Sequence, residues 1–109
     1  MYITNKSPIP IRRTKAMTEQ QIRALEDKGF KRWTKGNYDR LYINAKELGL
    51  ECTYYKTGNI SNAIFQGERI SNSEARRMKA AKTYVDVKTG TLHGTYSPMT
   101  NAARELMKA

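Results

Sequence analysis

The order of apolar and polar residues predicts short strands joined by tight turns. The clearest alternation runs through residues 38–43, where Leu41 and Ile43 share one side of an extended chain with Asp39. The opposite side carries Tyr38, Arg40 and Tyr42. Residues 30–34 are also β-prone, and Gly36 and Asn37 mark a turn between the two runs. The pattern predicts a β-hairpin with one aromatic and basic face.

One further hairpin is predicted downstream, and after it either another hairpin or a strand with a short partner. Runs at 50–56 and 60–66 flank a Gly58 and Asn59 turn, and runs at 83–88 and 91–95 flank a Thr89 and Gly90 turn. The register of the first of these hairpins stays open, because a slip of one residue exchanges its two faces. Simple alternation in its return strand separates two sets of residues: Ile60, Asn62 and Ile64 from Ser61, Ala63 and Phe65.

The first helix has signals at both ends. Thr18 is followed three residues later by a glutamine, which is a capping-box pattern. The helix is expected to run to about Lys28, and Gly29 then fits the left-handed position after a helix. That register brings Phe30 against Leu25, as in a Schellman motif.

Two more helices and one helical turn complete the elements. Ser71 is a strong N-cap for a basic helix over 71–82, whose narrow apolar stripe is Ala75 and Met78. A last helix over 97–108 would have Ser97 as N-cap and Pro98 in its first position. Its expected buried residues are Met99, Ala102, Ala103 and Leu106. A single helical turn is expected over 44–49.

These elements predict one α+β domain over residues 17–109. A small, mainly antiparallel sheet would be covered by two or three helices. Residues 1–16 contain prolines and the cations Arg12, Arg13 and Lys15, so we expect a flexible basic arm there. Such an arm either follows a phosphate backbone or is a solvated tail.

The charge balance narrows the function. The 109 residues carry 20 Lys and Arg against 10 Asp and Glu, a net charge of +10. That excess disfavours a DNA mimic and suits a nucleic acid or another polyanion, although a soluble protein can also simply be basic. A lone Cys52, the absence of a long apolar run and an N-terminus unlike a signal peptide favour a cytoplasmic protein without a membrane partner.

The residues that catalysis commonly uses are sparse. One histidine, His93, and one cysteine do not make an ordinary zinc site. The glycines are spaced too widely for a phosphate-binding loop, and the carboxylates are scattered along the chain. We therefore expect no enzymatic activity, no cofactor and no metal.

Tyrosines and cations are the informative side chains. A sheet face that carries both can stack bases and neutralise phosphates. The alternative is that the aromatic residues form the core, which is favoured most for Trp33 and Phe65, and that the basic helix is a solvated surface. Tyr38 and Tyr42, which share a face with Arg40, are the preferred exposed pair. The candidate nucleic-acid-binding residues are Arg12, Arg13, Arg32, Tyr38, Arg40, Tyr42, Lys56, Arg69, Arg76, Arg77, Lys79 and Lys82.

Four segments carry a resemblance to other proteins: 29–36 (GFKRWTKG), 39–44 (DRLYIN), 48–50 (LGL) and 70–77 (ISNSEARR). Over about residues 29–90 the chain resembles small uncharacterised proteins of phages and mobile elements in Gram-positive bacteria. The resemblance carries over no functional residues. It implies that the protein counters a host defence, as anti-CRISPR proteins do.

Two hypotheses follow. The first is a non-enzymatic nucleic-acid-binding protein, which rests on the charge and the aromatic strand. The second is a protein-binding inhibitor of a host defence nucleoprotein, which rests on the resemblance and the missing catalytic groups. Neither hypothesis distinguishes DNA from RNA or specifies an oligomeric state.

Overall fold

The computed structural model describes residues 16–108. The helices are α1 (Glu19–Asp27), α2 (Asn72–Ala80) and α3 (Ser97–Lys108). The strands are β1 (Lys31–Lys35), β2 (Tyr38–Tyr42), β3 (Leu50–Tyr54), β4 (Ile60–Phe65), β5 (Glu68–Ile70), β6 (Thr83–Asp86) and β7 (Thr91–Gly94). The predicted arm, including Arg12 and Arg13, lies outside the described residues.

The strands form two antiparallel sheets. One sheet has four strands in the order β1, β2, β6, β7, and the other has three in the order β3, β4, β5. The predicted α+β class is therefore confirmed, with the strands divided between two sheets instead of one. In the larger sheet Leu41 lies opposite both Arg32 and Val85, and Tyr84 lies opposite both Tyr42 and His93. These pairings decide which side chains share a face.

One hydrophobic core joins the three helices and six of the seven strands, since all five residues of β1 are exposed. Helices α1 and α3 contact the four-stranded sheet, and α2 contacts β3 and β4 of the smaller sheet. The cluster of buried side chains takes Leu41 and Val85 from the first sheet, Leu50 and Ala63 from the second, and Met78 from α2. Because the helices cover the Leu41 side of the larger sheet, its other side is free of them.

Helix α1 begins and ends as its sequence predicts. The Thr18 hydroxyl accepts from the Gln21 amide at 3.1 Å, and the Gln21 side chain accepts from the Thr18 amide at 2.9 Å. At the other end Phe30 N–H donates to the Leu25 carbonyl, and Gly29 N–H donates to the Glu26 carbonyl, both at 3.1 Å. Gly29 has a φ of +113°, so the predicted Schellman motif is confirmed.

The hairpin turn between β1 and β2 leads directly to the aromatic strand. Of its two central residues only Gly36 has a positive φ, at +58°, as in a type II′ turn. Lys35 pairs with Tyr38 across the turn, so the loop consists of Gly36 and Asn37 alone and contains no bulge. This turn continues the register in which every second residue of both strands faces away from the core.

Simple alternation fails in β4. Thr53 pairs with Asn62, but Tyr54 pairs with Ile60, so Ser61 is an extra residue in the ladder. The bulge turns Ile60 to the buried side together with Ala63, and both are at most 6% exposed. Placing Ile60 on the same face as Asn62 and Ile64 was therefore wrong, because alternation does not continue through a bulge.

The ends of the other helices differ slightly from expectation. The Ser71 hydroxyl accepts from the Glu74 amide at 3.0 Å, which confirms the predicted N-cap of α2. That helix ends at Ala80, because Ala81 is extended with a ψ of 145°. Ser97 lies within the first turn of α3, since the Tyr96 carbonyl accepts from Thr100 at 3.1 Å. In α3 the predicted Met99, Ala102 and Ala103 are buried, while Leu106 is half-buried.

Candidate nucleic-acid interface

The solvent-facing side of the four-stranded sheet carries a continuous set of aromatic rings. We call this surface the aromatic face and define it by Trp33, Tyr38, Arg40, Tyr42, Tyr84 and His93. Trp33 lies opposite Arg40, Tyr42 lies opposite Tyr84, and Tyr84 lies opposite His93. Directly paired residues point to the same side of a sheet, so all six side chains project away from the core. The predicted grouping of Tyr38, Arg40 and Tyr42 is confirmed.

The rings form a chain of contacts across all four strands. Trp33 is 6.3 Å from Tyr38 with planes 26° apart, and it meets Tyr42 edge-on at 6.2 Å, measured between centroids. Tyr84 lies 5.1 Å from Tyr42 and 5.1 Å from His93. These separations are in the range of favourable aromatic pairs, so the rings support one another's positions. Trp33 and Tyr38 nonetheless remain 42% and 57% exposed.

Arg40 lies at the centre of the aromatic face. Its guanidinium carbon is 4.5 Å from the centroid of Tyr38 and 4.4 Å from that of Tyr84, so cation–π contacts occur with both rings. One terminal nitrogen donates to the Tyr42 hydroxyl at 3.0 Å. This hydrogen bond is the largest cause of the raised pKa of Arg40, and the side chain stays charged. No carboxylate within residues 16–108 forms an ion pair with it.

Arg32 lies on β1, the strand next to that of Arg40, but its side chain contacts carboxylates instead of aromatic rings. Its Nε and one terminal nitrogen donate to the Asp39 carboxylate at 2.9 and 2.7 Å, a bidentate arrangement. Glu19 of α1 adds a contact at 3.4 Å. Arg32 pairs with Leu41 in the sheet and therefore lies on the helix-covered side. The structure thus separates Arg32 from the aromatic residues among which the sequence placed it.

The charges around the aromatic face are mostly positive. Lys31 lies opposite Tyr42 and Lys35 lies opposite Tyr38, so both project from the same side, at opposite ends of β1. Asp86 is the cross-strand neighbour of Arg40, but its carboxylate accepts from the Lys88 amide at 2.9 Å and is engaged in the turn after β6. Three cations, Lys31, Lys35 and Arg40, therefore share this side of the sheet with one carboxylate, that of Asp86.

The remaining predicted cations divide between two places. Lys82 follows α2 and lines a groove with Lys31 and Tyr42, next to the aromatic face. The Lys79 ammonium lies 4.7 Å above the Tyr54 ring and donates to its hydroxyl, which raises the pKa of Lys79. Four others belong with Lys79 to the part built from the smaller sheet and α2, and all four are exposed: Lys56, Arg69, Arg76 and Arg77.

Sequence reasoning missed part of the site. Trp33, for which a core position was favoured, is exposed, because its strand is at the sheet edge and its side points away from the helices. Phe65 is half-buried and packs against the core. Tyr84 and His93 join the face only through the pairing of β2 with β6 and of β6 with β7. The alternation of residues 83–88 was a local signal for Tyr84, but its partner strand was not predictable.

Two absences apply to the part of the chain that the structure describes. No three His, Cys, Asp or Glu side chains in residues 16–108 are close enough together to hold a metal ion. None of the helices α1 to α3 is long and apolar enough to cross a membrane.

The aromatic face thus combines exposed rings, flanking lysines and a stacked arginine that has no carboxylate partner among residues 16–108. Comparison with known proteins adds no further guide, since no family model, curated protein or solved structure matches the chain.

Proposed function

We propose that the protein is a non-enzymatic nucleic-acid-binding protein that holds unpaired bases against its aromatic face. The observation that carries the proposal is the position of Arg40 between the rings of Tyr38 and Tyr84, with no carboxylate partner in residues 16–108. At an exposed site a cation–π contact contributes only ~0.5–1 kcal/mol to folding stability. A nucleotide supplies both a π-face for the rings and a phosphate for the cation.

The exposed rings favour single strands over duplexes. Bases within a duplex are stacked on each other, so their faces are not accessible to Trp33 or Tyr38. Each base that stacks on an aromatic side chain contributes ~1–3 kcal/mol, whatever its sequence. A rigid antiparallel sheet holds the rings in place before binding, which limits the ordering cost. We therefore expect binding to single-stranded nucleic acid with little dependence on sequence.

The test uses the only tryptophan as an intrinsic reporter. Labelled single-stranded and duplex DNA and RNA are titrated across a salt series, while fluorescence anisotropy and Trp33 emission are followed together. We expect binding to single strands, quenching of Trp33 and an affinity that falls as salt rises. Tyr38→Ala should weaken binding by about tenfold, corresponding to ~1–3 kcal/mol for a stacked base.

Tyr55 provides the matched control for Tyr38. It is 62% exposed, but it lies beside the turn between β3 and β4, outside the aromatic face. Tyr55→Ala should leave the affinity unchanged within about twofold. Equal losses in the Tyr38→Ala and Tyr55→Ala variants would show that the aromatic face is not the binding surface. Absence of binding to any nucleic acid at low salt would reject the proposal.

A protein partner is the second candidate function. Five of the six residues of the aromatic face are tryptophan, tyrosine or arginine, the residue types that dominate the binding energy of protein interfaces. Together with the resemblance to mobile-element proteins, this composition fits an inhibitor that docks on a host defence nucleoprotein. Such a complex should survive nuclease treatment. If every co-purifying protein is lost after that treatment, this second candidate is ruled out.

A further inference from the structure

A basic groove opens at the Tyr42 end of the aromatic face. It has a volume of about 230 Å³ and is lined by Gly29, Lys31, Tyr42, Asn44 and Lys82, among others. One water occupies about 30 Å³ of liquid, so the groove has room for a hydrated anionic group. Tyr42 belongs both to this lining and to the chain of aromatic contacts. The groove is therefore continuous with the surface proposed to bind bases.

The two lysines reach the groove from different parts of the chain. Lys31 is directly opposite Tyr42 in the sheet. Lys82 precedes β6, and it extends the pairing with β7 by one step, because its amide donates to the Thr95 hydroxyl at 3.0 Å and its carbonyl accepts from the Thr95 amide at 3.1 Å. Because the pairing with Thr95 continues the extended strand back to Lys82, its side chain lies on the same side as that of Tyr84, two residues later.

The electrostatics of the groove favour an anion. Lys31 and Lys82 are both exposed, and neither forms an ion pair within residues 16–108. No carboxylate belongs to the groove lining. The Glu47 side chain lies next to Gly29, where a Cβ on that glycine would meet its carboxylate, but Glu47 is outside the lining. Two lysines therefore line this groove, whereas the Glu47 carboxylate lies behind Gly29 and not in the lining.

We propose that this groove is a backbone subsite, in which Lys31 and Lys82 bind a phosphate of the same single strand whose bases stack on the aromatic face. The inference rests on the proposed function, because the phosphate belongs to the strand whose bases stack on the aromatic face. Lysine binds phosphate as a point charge without demanding one orientation, which suits a strand of variable conformation. The strand would then run from the Trp33 and Tyr38 rings towards the start of β6.

If the subsite binds a phosphate, removing its two lysines should change how strongly the affinity for single strands depends on salt. Stacking of bases on the rings alone predicts no such change. Each phosphate contact with a single strand contributes about 0.7 to the slope of log affinity against log salt concentration. Because the two lysines share one phosphate, the double variant Lys31→Gln with Lys82→Gln should lower that slope by roughly 0.7. Quenching of Trp33 at saturation should be retained, because the rings are untouched. The conservative double variant Lys31→Arg with Lys82→Arg should keep the slope of the unmodified protein.

The control changes the net charge equally at a distant place. Arg23→Gln with Lys108→Gln removes two cations from α1 and α3, the helices on the other side of the sheet. Its slope should stay close to that of the unmodified protein. An unchanged slope in the Lys31 and Lys82 variant, or an equal decrease in the control, would overturn the subsite while leaving the proposed function intact. Absence of binding by the unmodified protein would overturn both.

Discussion

Arg40 donates a 3.0 Å hydrogen bond to the hydroxyl of Tyr42, two residues further along the same strand. Alternate residues of a strand point to the same side, so this bond is a local consequence of the β conformation. It fixes the orientation of the guanidinium, whose carbon lies 4.5 Å from the centroid of the Tyr38 ring and 4.4 Å from that of Tyr84. A cation that is otherwise mobile is thus oriented before any ligand arrives.

Arg40 and Arg32 form a matched pair for separating binding from folding. They are the same residue type on adjacent strands, but they lie on opposite sides of the sheet. Arg40→Gln should weaken binding to single-stranded nucleic acid by about tenfold or more, since a hydrogen bond to a charged group contributes ~1.5–3 kcal/mol. Arg32→Gln should leave the affinity within about twofold and lower the melting temperature, because it removes the contacts with Asp39 and Glu19. Anisotropy and thermal unfolding measure the two effects, and a reversed pattern would contradict the assignment of faces.

The Arg32 and Asp39 pair predicts a pH dependence of stability. The hydrogen bonds from Arg32 lower the pKa of Asp39 in the folded protein below its usual value of about 3.9. A depressed folded pKa contributes stability above the unfolded pKa, and this contribution disappears as pH falls through the folded pKa. The unfolding free energies of the unmodified protein and Asp39→Asn should therefore differ at pH 7 and converge below about pH 4.

Urea unfolding from pH 7 to pH 2 measures that convergence. Glu105→Gln is the control, because Glu105 contacts Lys108 at 3.3 Å with both side chains largely exposed. Its effect should be small at every pH, as is usual for exposed ion pairs. A difference between the unmodified protein and Asp39→Asn that persists undiminished at pH 2 would contradict the electrostatic origin of the effect.

The two sides of β2 should respond differently to truncation. Leu41 is 0% exposed and lies in the core, so Leu41→Ala should cost about 2–5 kcal/mol of unfolding free energy. Tyr38 is 57% exposed on the aromatic face, and Tyr38→Ala should cost less than about 1 kcal/mol, mainly from its contact with Arg40. Chemical denaturation measures both values. A loss of stability in Tyr38→Ala as large as in Leu41→Ala would show that the face is structural.

Gly94 is predicted to be essential where β7 meets α3. A Cβ at this position would overlap the Thr100 hydroxyl oxygen and lie 2.9 Å from the Thr100 Cβ. Gly94→Ala should therefore destabilise the protein by about 1–3 kcal/mol, as overpacking does. Combining it with Thr100→Ala removes the nearest atom and should restore part of that loss. If the double variant is no more stable than Gly94→Ala alone, the contact with Thr100 is not the cause.

Several features of this protein could be predicted from the sequence because they depend on interactions between residues close together in the chain. The capping box at Thr18, the Schellman motif at Gly29 and the Ser71 cap each involve residues a few positions apart. The same holds for the aromatic and basic side of residues 38–42, because alternation along one strand requires no partner. The α+β class and the excess of positive charge were also available without the structure.

The tertiary structure decided what depends on long-range pairing. Only the antiparallel pairing of β2 with β6, more than 40 positions along the chain, brings Tyr84 and His93 to the rings of Tyr38 and Tyr42. The same pairing joined Lys82 to Lys31 at one groove. The packing of α1 and α3 on one side of the sheet decided that Arg32 lies on the covered side and that Trp33 is exposed. The pairing of strands distant in sequence depends on which faces the helices bury, and no local pattern carries that information.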